Sequence, residues 1–441
     1  MSKKRLIAMI LAIMLVFYAC NPVAKDTGNK ELDTTKDIEN AKDTDGTEDS
    51  NDKANIDNKE IFKKHIERVP STANFANFIE FQGIKSLPQG NPNETFEIDI
   101  RSIDISSDDV MNRLEDLLNT TFDSKTKWPE NLPKEFNPEK VMELYKDPGL
   151  GVRELHKMGI TGKGVGIAII DQTLLVDHVE YKDNLKFYEE YGDYKKSSAS
   201  MHGCAVASIA VGKTVGVAPD ADLYYIAGLH GDVINGEYVS NFTLTASYID
   251  RILEINEKLP IDKKIRVISI SRGWGDSEKG YTEVMDAVKR ANEKGIFVVS
   301  SSLAKTNGYN FHGLGKKPLS DSNDINSFIP GSWWKNQIKK WLEGKDYVMA
   351  PMDFRCTASP TGQEDYAVYQ NGGWSWTIPY LAGTYALACQ ASPEITYDEF
   401  WETALSTGDT VKLKDSNDKD YDFGKIINPV KLIEEIKKKA Q

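Results

Sequence analysis

The stretch Val165-Gly166-Ile167-Ala168-Ile169-Ile170-Asp171 decides the fold. A short, unbroken apolar run ending on an aspartate is what a central parallel strand needs, because such a strand is buried on both faces. Leu223–Ile226, Arg266–Ile270 and Ile296–Val299 read the same way. Between them, His202–Ala210, Leu244–Glu257 and Thr282–Lys294 carry helical patterns. Strands alternating with helices predict an α/β architecture with a parallel sheet, and no internal repeat interrupts it. Functional groups in open α/β sheets gather at the carboxyl ends of the strands, so Asp171 stands where a catalytic acid would sit. A lone aspartate there is otherwise a solvated turn residue, and the choice depends on the rest of the chain.

The chain has 441 residues, enough for one large domain or two ordinary ones, with 40% hydrophobic and 27% charged residues. Those fractions are typical of a soluble globular protein with a sizeable core. A formal net charge of -13 argues against nucleic acid or an anionic membrane surface as the main partner.

Two further stretches hold candidate chemistry. His202 opens His-Gly-Cys-Ala-Val-Ala-Ser-Ile-Ala, a helix-like run of small residues leading to Gly216-Val217-Ala218-Pro219. Histidine is the side chain best suited to move a proton near neutral pH, although one at a helix start is often satisfied by backbone. Asn371-Gly372-Gly373-Trp374-Ser375-Trp376-Thr377-Ile378-Pro379 runs into an apolar segment of helical length, Thr377–Cys389. Ser375 at that junction is either a helix cap or a nucleophile at the positive end of a helix dipole. Pro379 is expected in the first turn, where its missing N–H is harmless.

Asp171, His202 and Ser375, in that chain order, resemble the subtilisin-like serine peptidases, for which the order is known. The resemblance rests on ordered motifs. They are Ile169-Ile170-Asp171 with His178 beyond it, His202-Gly203 with Val206-Ala207, and Gly216-Val217-Ala218-Pro219. Further on come Val267-Ile268-Ser269-Ile270-Ser271-Arg272-Gly273, Val348-Met349-Ala350-Pro351, Gly373-x-Ser375-x-x-x-Pro379-x-x-Ala382-Gly383, and the tail Phe423–Asn428. They span roughly residues 145–435. The resemblance implies a three-layer fold around a central, mostly parallel sheet, occupying residues 141–438. It also implies a protein or peptide substrate cleaved by acyl transfer. Ser375 would attack the carbonyl, His202 would take its proton, and Asp171 would hold the imidazolium. Ser271, Arg272 and Gly273 would line the substrate cleft. No cofactor is implied, and no Cys or His cluster suggests a metal site. Without Cys20, the remaining Cys204, Cys356 and Cys389 read as small buried residues.

The departures from the family pattern define an alternative. Gln172-Thr173 follow the aspartate where the family has a glycine-containing turn, and Trp374 and Trp376 flank the serine. Leu303-Ala304 stand where the family has Gly-Asn, the asparagine that completes its oxyanion hole. Asn307, three residues on, is the candidate substitute. The segment that follows, through Trp333-Trp334 and Trp341, is expected to form a helix over the cleft. The rival reading is a pseudopeptidase, a binding module with an impaired oxyanion hole. His178 is a rival base without the small-residue helix, and His65, His156, His230 and His312 lie in no motif. An α/β-hydrolase reading fails on chain order and on the absence of Gly-x-Ser-x-Gly.

The N-terminus reads as an address. Lys3-Lys4-Arg5 precede the apolar run Leu6–Ala19, and Val16-Phe17-Tyr18-Ala19-Cys20 resembles a bacterial lipobox, with Phe17 at the usual leucine position. Residues 1–19 are therefore expected to be a lipoprotein signal peptide and Cys20 the lipidated residue, holding the protein on the extracytoplasmic side of a bacterial envelope. Residues 20–58 are almost wholly polar and are expected to form a disordered tether whose ends average roughly 35 Å apart. Residues 59–140 form an N-terminal region, either a pro-segment, an arm or part of the main domain. Within it, Thr95–Ile100 alternates like a strand and Ser107–Leu118 reads as a helix.

Overall fold

The computed structural model describes residues 64–90, 97–234, 237–338, 344–415 and 418–440. The expected signal peptide, Cys20, the tether and Trp341 lie outside the described residues, and none of the described helices is long and apolar enough to cross a membrane.

The central sheet has six parallel strands, in the order His65–Ile66, Leu185–Glu190, Asp222–Ala227, Gly166–Asp171, Ile265–Ile270 and Phe297–Ser300. The strand that ends in Asp171 is central and buried on both faces. Ile167 and Ile169 face one hydrophobic core with the helix Met201–Val211 and the helix Trp374–Ala391. Ala168 and Ile170 face a second core with the helices Phe242–Lys258 and Tyr281–Glu293. Helices on both sides of a mostly parallel sheet make the three layers expected of the α/β class.

The strand order places the crevice. After Asp171 the chain leaves towards Leu185–Glu190 on one side of the sheet. After Ile270 it leaves towards Phe297–Ser300 on the other. These two strands are neighbours, so their carboxyl ends open at a topological switch point, where such sheets bind ligands. The register Ile169 to Ser269 brings Asp171 and the turn Ser271-Arg272-Gly273 to the same end of neighbouring strands.

Two smaller sheets flank this body. Phe328–Pro330, Phe311–Lys316, Val348–Pro351, Asp420–Ile426 and Asp409–Lys414 form one. Arg355–Ala358 and Tyr366–Tyr369 join Thr120–Asp123 and Ile98–Asp99 in the other, so part of the N-terminal region shares a sheet with the segment that precedes Ser375.

The expected strands and helices of the central body lie within a few residues of their predicted bounds; three other expectations change. Ser107–Leu118 is helical only at Leu114–Leu118; upstream, one acidic side chain holds a distant backbone N–H and the next closes a local turn that competes with helix. The Asp108 carboxylate accepts from Leu87 N–H at 2.5 Å, and Asp109 accepts from Met111 N–H. The stretch Thr95–Ile100 is a strand at Ile98–Asp99, its first two residues lying outside the described ones. The segment after Asn307 has α-helix only at Ile338 in its described part, beside residues that are not described. It forms strands Phe311–Lys316 and Phe328–Pro330 and a short 3-10 turn at Lys335–Gln337, held by β pairing with Val348–Pro351.

Candidate active site

Asp171 closes its strand almost fully buried. Its Oδ1 accepts from the Gln172 N–H and pairs with His202 Nδ1, both at 2.7 Å. His202 is the second residue of its helix, with Ser200 as cap accepting from the His202 N–H at 3.2 Å. Gly203 follows because nothing larger fits: a Cβ there would lie 2.5 Å from Gln172 O, 2.6 Å from Tyr225 Oη and 2.9 Å from Thr173 O. Tyr225 Oη donates to Gln172 O at 2.5 Å, Ser200 N–H donates to Thr173 O at 2.8 Å, and Ser200 Oγ bonds to the Gln172 side chain. The turn after the acid is thus clamped to the histidine helix. Neither Gln172 nor Thr173 has positive φ, so the glycine usual in the family is not needed here.

Ser375 does not cap its helix. Gly373, with φ +59°, is the cap, and Ser375 is the second helical residue. Its N–H is one of the donors that a helix start leaves without an intrahelical partner. Pro379 lies inside the helix, not in its first turn. That position has a consequence: with no N–H, Pro379 cannot donate to the carbonyl four residues earlier, which belongs to Ser375. Ser271 Oγ, from the turn beyond its strand, donates to that carbonyl at 3.0 Å instead. The nucleophile candidate is therefore tied to the strand end across the crevice. Ser271, expected to line the substrate cleft, thus also holds the serine helix through its side chain.

A second anchor was missed altogether. Asp353, buried, accepts from Ser332 N–H at 3.0 Å and from Gly372 N–H at 3.3 Å, fastening the loop that carries Ser375. Burial pushes its carboxyl up to about 6, against the lowering effect of those two N–H groups. Nothing in the sequence around Met352-Asp353 signals this role, since both partners are backbone groups from distant segments.

The tryptophans divide. Trp376 is buried with its ring 5.4 Å from that of His202, which sets the start of the serine helix beside the imidazole. Trp374 packs against Phe311 at 5.1 Å, His312 at 5.3 Å and Trp333 at 5.4 Å, as an aromatic wall beside Ser375. Burial holds His312 near 3, so it is a neutral part of this wall.

The structure joins some candidates and not others. Asp171 and His202 are bonded. His202 Nε2 is buried without a partner, and among the described residues the Ser375 hydroxyl makes no hydrogen bond. Asn307 ends the short helix Leu303–Thr306 with Oδ1 buried and unpartnered, and it makes no hydrogen bond to Ser375 or His202. Arg272 and Gly273 lie in the turn after Ile270, where Arg272 O accepts from Ser301 N–H at 3.1 Å. His178 is structural: fully buried, it bonds Asp365 O at 2.8 Å through Nε2 and stacks on Tyr181, and burial lowers its pKa. The described cysteines Cys204, Cys356 and Cys389 are free and buried. No group of metal-ligating side chains occurs among the described residues.

Comparison with protein families matches residues 162–329 to the subtilase family, peptidase S8. That span contains Asp171 and His202 and ends before Ser375. The chain is 27% identical to the minor extracellular protease Vpr of Bacillus subtilis, over 37% of this chain and 25% of that protein. It is also 27% identical to the major intracellular serine protease of Bacillus subtilis, over 37% of this chain and 51% of that protein. With furin-like protease 1 of Drosophila melanogaster it is 24% identical, over 59% of this chain and 24% of that protein. The matches span about a quarter to a half of these relatives' lengths. Among solved structures, the prenylagaramide maturation protease PagA superposes with a TM-score of 0.44 at 16% identity, covering 65% of this chain and 98% of that one. The family match marks residues 162–329 as similar to a subtilase domain.

Proposed function

We propose that the chain is a serine endopeptidase that hydrolyses peptide bonds through Asp171, His202 and Ser375. The observation that carries this reading is the buried Asp171–His202 bond at 2.7 Å, located at the crevice that Ser271 shares with Ser375. A carboxylate on Nδ1 fixes the tautomer that leaves Nε2 as the acceptor for a serine proton, and stabilises the imidazolium that forms. Ser375 attacks the scissile carbonyl, and its own N–H, at the positive end of the helix Trp374–Ala391, faces the developing oxyanion. The second donor is assigned to the side-chain amide of Asn307, at the end of the short helix Leu303–Thr306. The missing Ser375–His202 bond is compatible with catalysis, since such bonds often tighten only once substrate is present.

The same unmade bond, together with Leu303-Ala304 in place of a Gly-Asn pair, favours the second reading, a binding module that has lost turnover. Hydrolysis of a quenched peptide library separates the two. The peptidase reading expects cleavage that disappears in both Ser375→Ala and His202→Ala. Equal residual cleavage in wild type and both variants overturns it.

We further propose that Cys20 carries a lipid, with residues 20–58 as the tether that holds the enzyme at the outer face of a bacterial membrane. Cys20→Ser is expected to release the protein or leave it unprocessed. A wild-type N-terminal peptide without acyl mass contradicts the anchor.

A further inference from the structure

Arg272 is an unusual residue to find at the end of a central strand. It is 9% exposed, in the turn between Ser271, which holds the Ser375 carbonyl, and Gly273. Above it lies the hairpin Gly231–Ile234 and Glu237–Ser240. The guanidinium makes one hydrogen bond, from Nη2 to Ser240 Oγ at 3.2 Å, and lies 5.9 Å from the Phe242 ring centroid. Its Nε is buried with no partner, and among the described residues Arg272 forms no ion pair.

A guanidinium stays charged at any pH a protein tolerates, so burying one without an anion is expensive. Carboxylates are close by, for Tyr238 on the hairpin feels the charges of Arg272, Glu278 and Asp232 together. Both are engaged elsewhere. Asp232 accepts from Asn241 Nδ2 at 2.8 Å and lies 3.8 Å from Lys279 Nζ, while Glu278 accepts from Gly275 N–H at 2.5 Å. The charge of Arg272 also reaches the catalytic side of the crevice. His230 is held near 4 first by burial and then by Arg272, and it feels Asp171 and His202 as well.

We infer that Arg272 receives an acidic side chain of the substrate, so that the chain acts on peptides with Asp or Glu close to the cleaved bond. The inference rests on the peptidase reading only in placing the peptide along the turn beside Ser375. Arginine suits the task because its planar fork binds a carboxylate through two parallel charge-assisted bonds. The orphan Nε and the single bond to Ser240 leave that capacity unused in the free protein. Phe242 and the hairpin keep water away from the pair, which strengthens discrimination against a neutral or basic side chain.

The test uses the full-length chain and peptides that scan Glu, Gln and Lys through each position around the cleaved bond. Wild type is expected to favour Glu over Gln by roughly 10- to 100-fold in kcat/KM at one position. Arg272→Leu is expected to erase that ratio and Arg272→Lys to keep part of it, with circular dichroism confirming that both variants fold. The same Glu and Gln peptides are titrated onto Ser375→Ala by fluorescence polarisation. Acid-selective binding there, lost in Ser375→Ala/Arg272→Leu, sustains the inference even if no turnover is found and the peptidase reading fails. Equal treatment of Glu and Gln by wild type and by Ser375→Ala, or an acid preference that survives Arg272→Leu, overturns it.

Discussion

Ser271→Ala probes how the serine helix is held. The substitution deletes the hydroxyl that donates to Ser375 O at 3.0 Å. Pro379 offers no N–H, so nothing within the helix replaces it. A typical protein hydrogen bond contributes about 0.5–1.5 kcal/mol net, and a carbonyl left dry can lose up to about 3 kcal/mol. Ser375 is half-buried, so water rescues part of the carbonyl and a loss of about 1–1.5 kcal/mol is expected. In a chain this large that lowers Tm by about 1–2 °C. If the whole loss reaches the transition state, kcat falls by roughly five- to tenfold with KM nearly unchanged. Pro379→Ala makes the argument specific, because alanine restores an N–H to the vacant acceptor. In that background Ser271→Ala should cost little, giving a coupling of about 1 kcal/mol in thermal melts and in kcat. If Ser271→Ala costs the same with and without Pro379, to within about 0.5 kcal/mol, Ser271 does not compensate for the proline and the reasoning fails.

Two other outcomes are expected. Lys316 is buried, bonds Ser322 Oγ at 2.7 Å, and is pushed down by burial to about 7. Its folded pKa lies below the unfolded value, so the unfolded chain binds more protons between about pH 7 and pH 10.5 and stability rises with pH across that window. Lys316→Met should therefore stabilise the fold at pH 7, by about 1–3 kcal/mol after the Ser322 bond is lost, with the advantage shrinking towards pH 10; melts that show a constant or growing advantage contradict this. Asn307→Ala should lower kcat by about 10²–10³ with little change in substrate binding if Asn307 completes the oxyanion hole. Full turnover in that variant, with a gain of about a hundredfold in Ala304→Asn, would show instead that the hole lacks its second donor.

What the sequence made legible follows from the range of the forces involved. The central strands and their helices were readable because burial leaves a local mark, an unbroken apolar run at Val165–Ile170 and a helical period at Phe242–Lys258, whatever lies elsewhere in the chain. The pairing of Asp171 with His202 could be anticipated from motif order, since strand end and helix start bring them together. The roles of Ser271 and Asp353 could not. Each depends on one hydrogen bond to backbone from a remote segment, Ser375 O in one case and Gly372 N–H in the other, and backbone groups leave no residue signature. Ser107–Leu118 misled for a related reason: Asp108 binds Leu87 N–H, a partner that helix propensity does not register. The hairpin over Arg272 was likewise unread, because its Gly231-Asp232-Val233-Ile234 strand is too short and too exposed to show a clear period.

The central claim is that Asp171, His202 and Ser375 work as one catalytic unit. Its most direct test is the rate at which a fluorophosphonate labels the protein at neutral pH, with the modified residue located by peptide mass. Labelling is expected at Ser375, absent in Ser375→Ala and slowed by about 10²–10⁴ in His202→Ala, because the probe reacts only with a serine whose proton has an acceptor. A wild-type protein that stays unlabelled at Ser375, or labels equally fast without His202, contradicts the account.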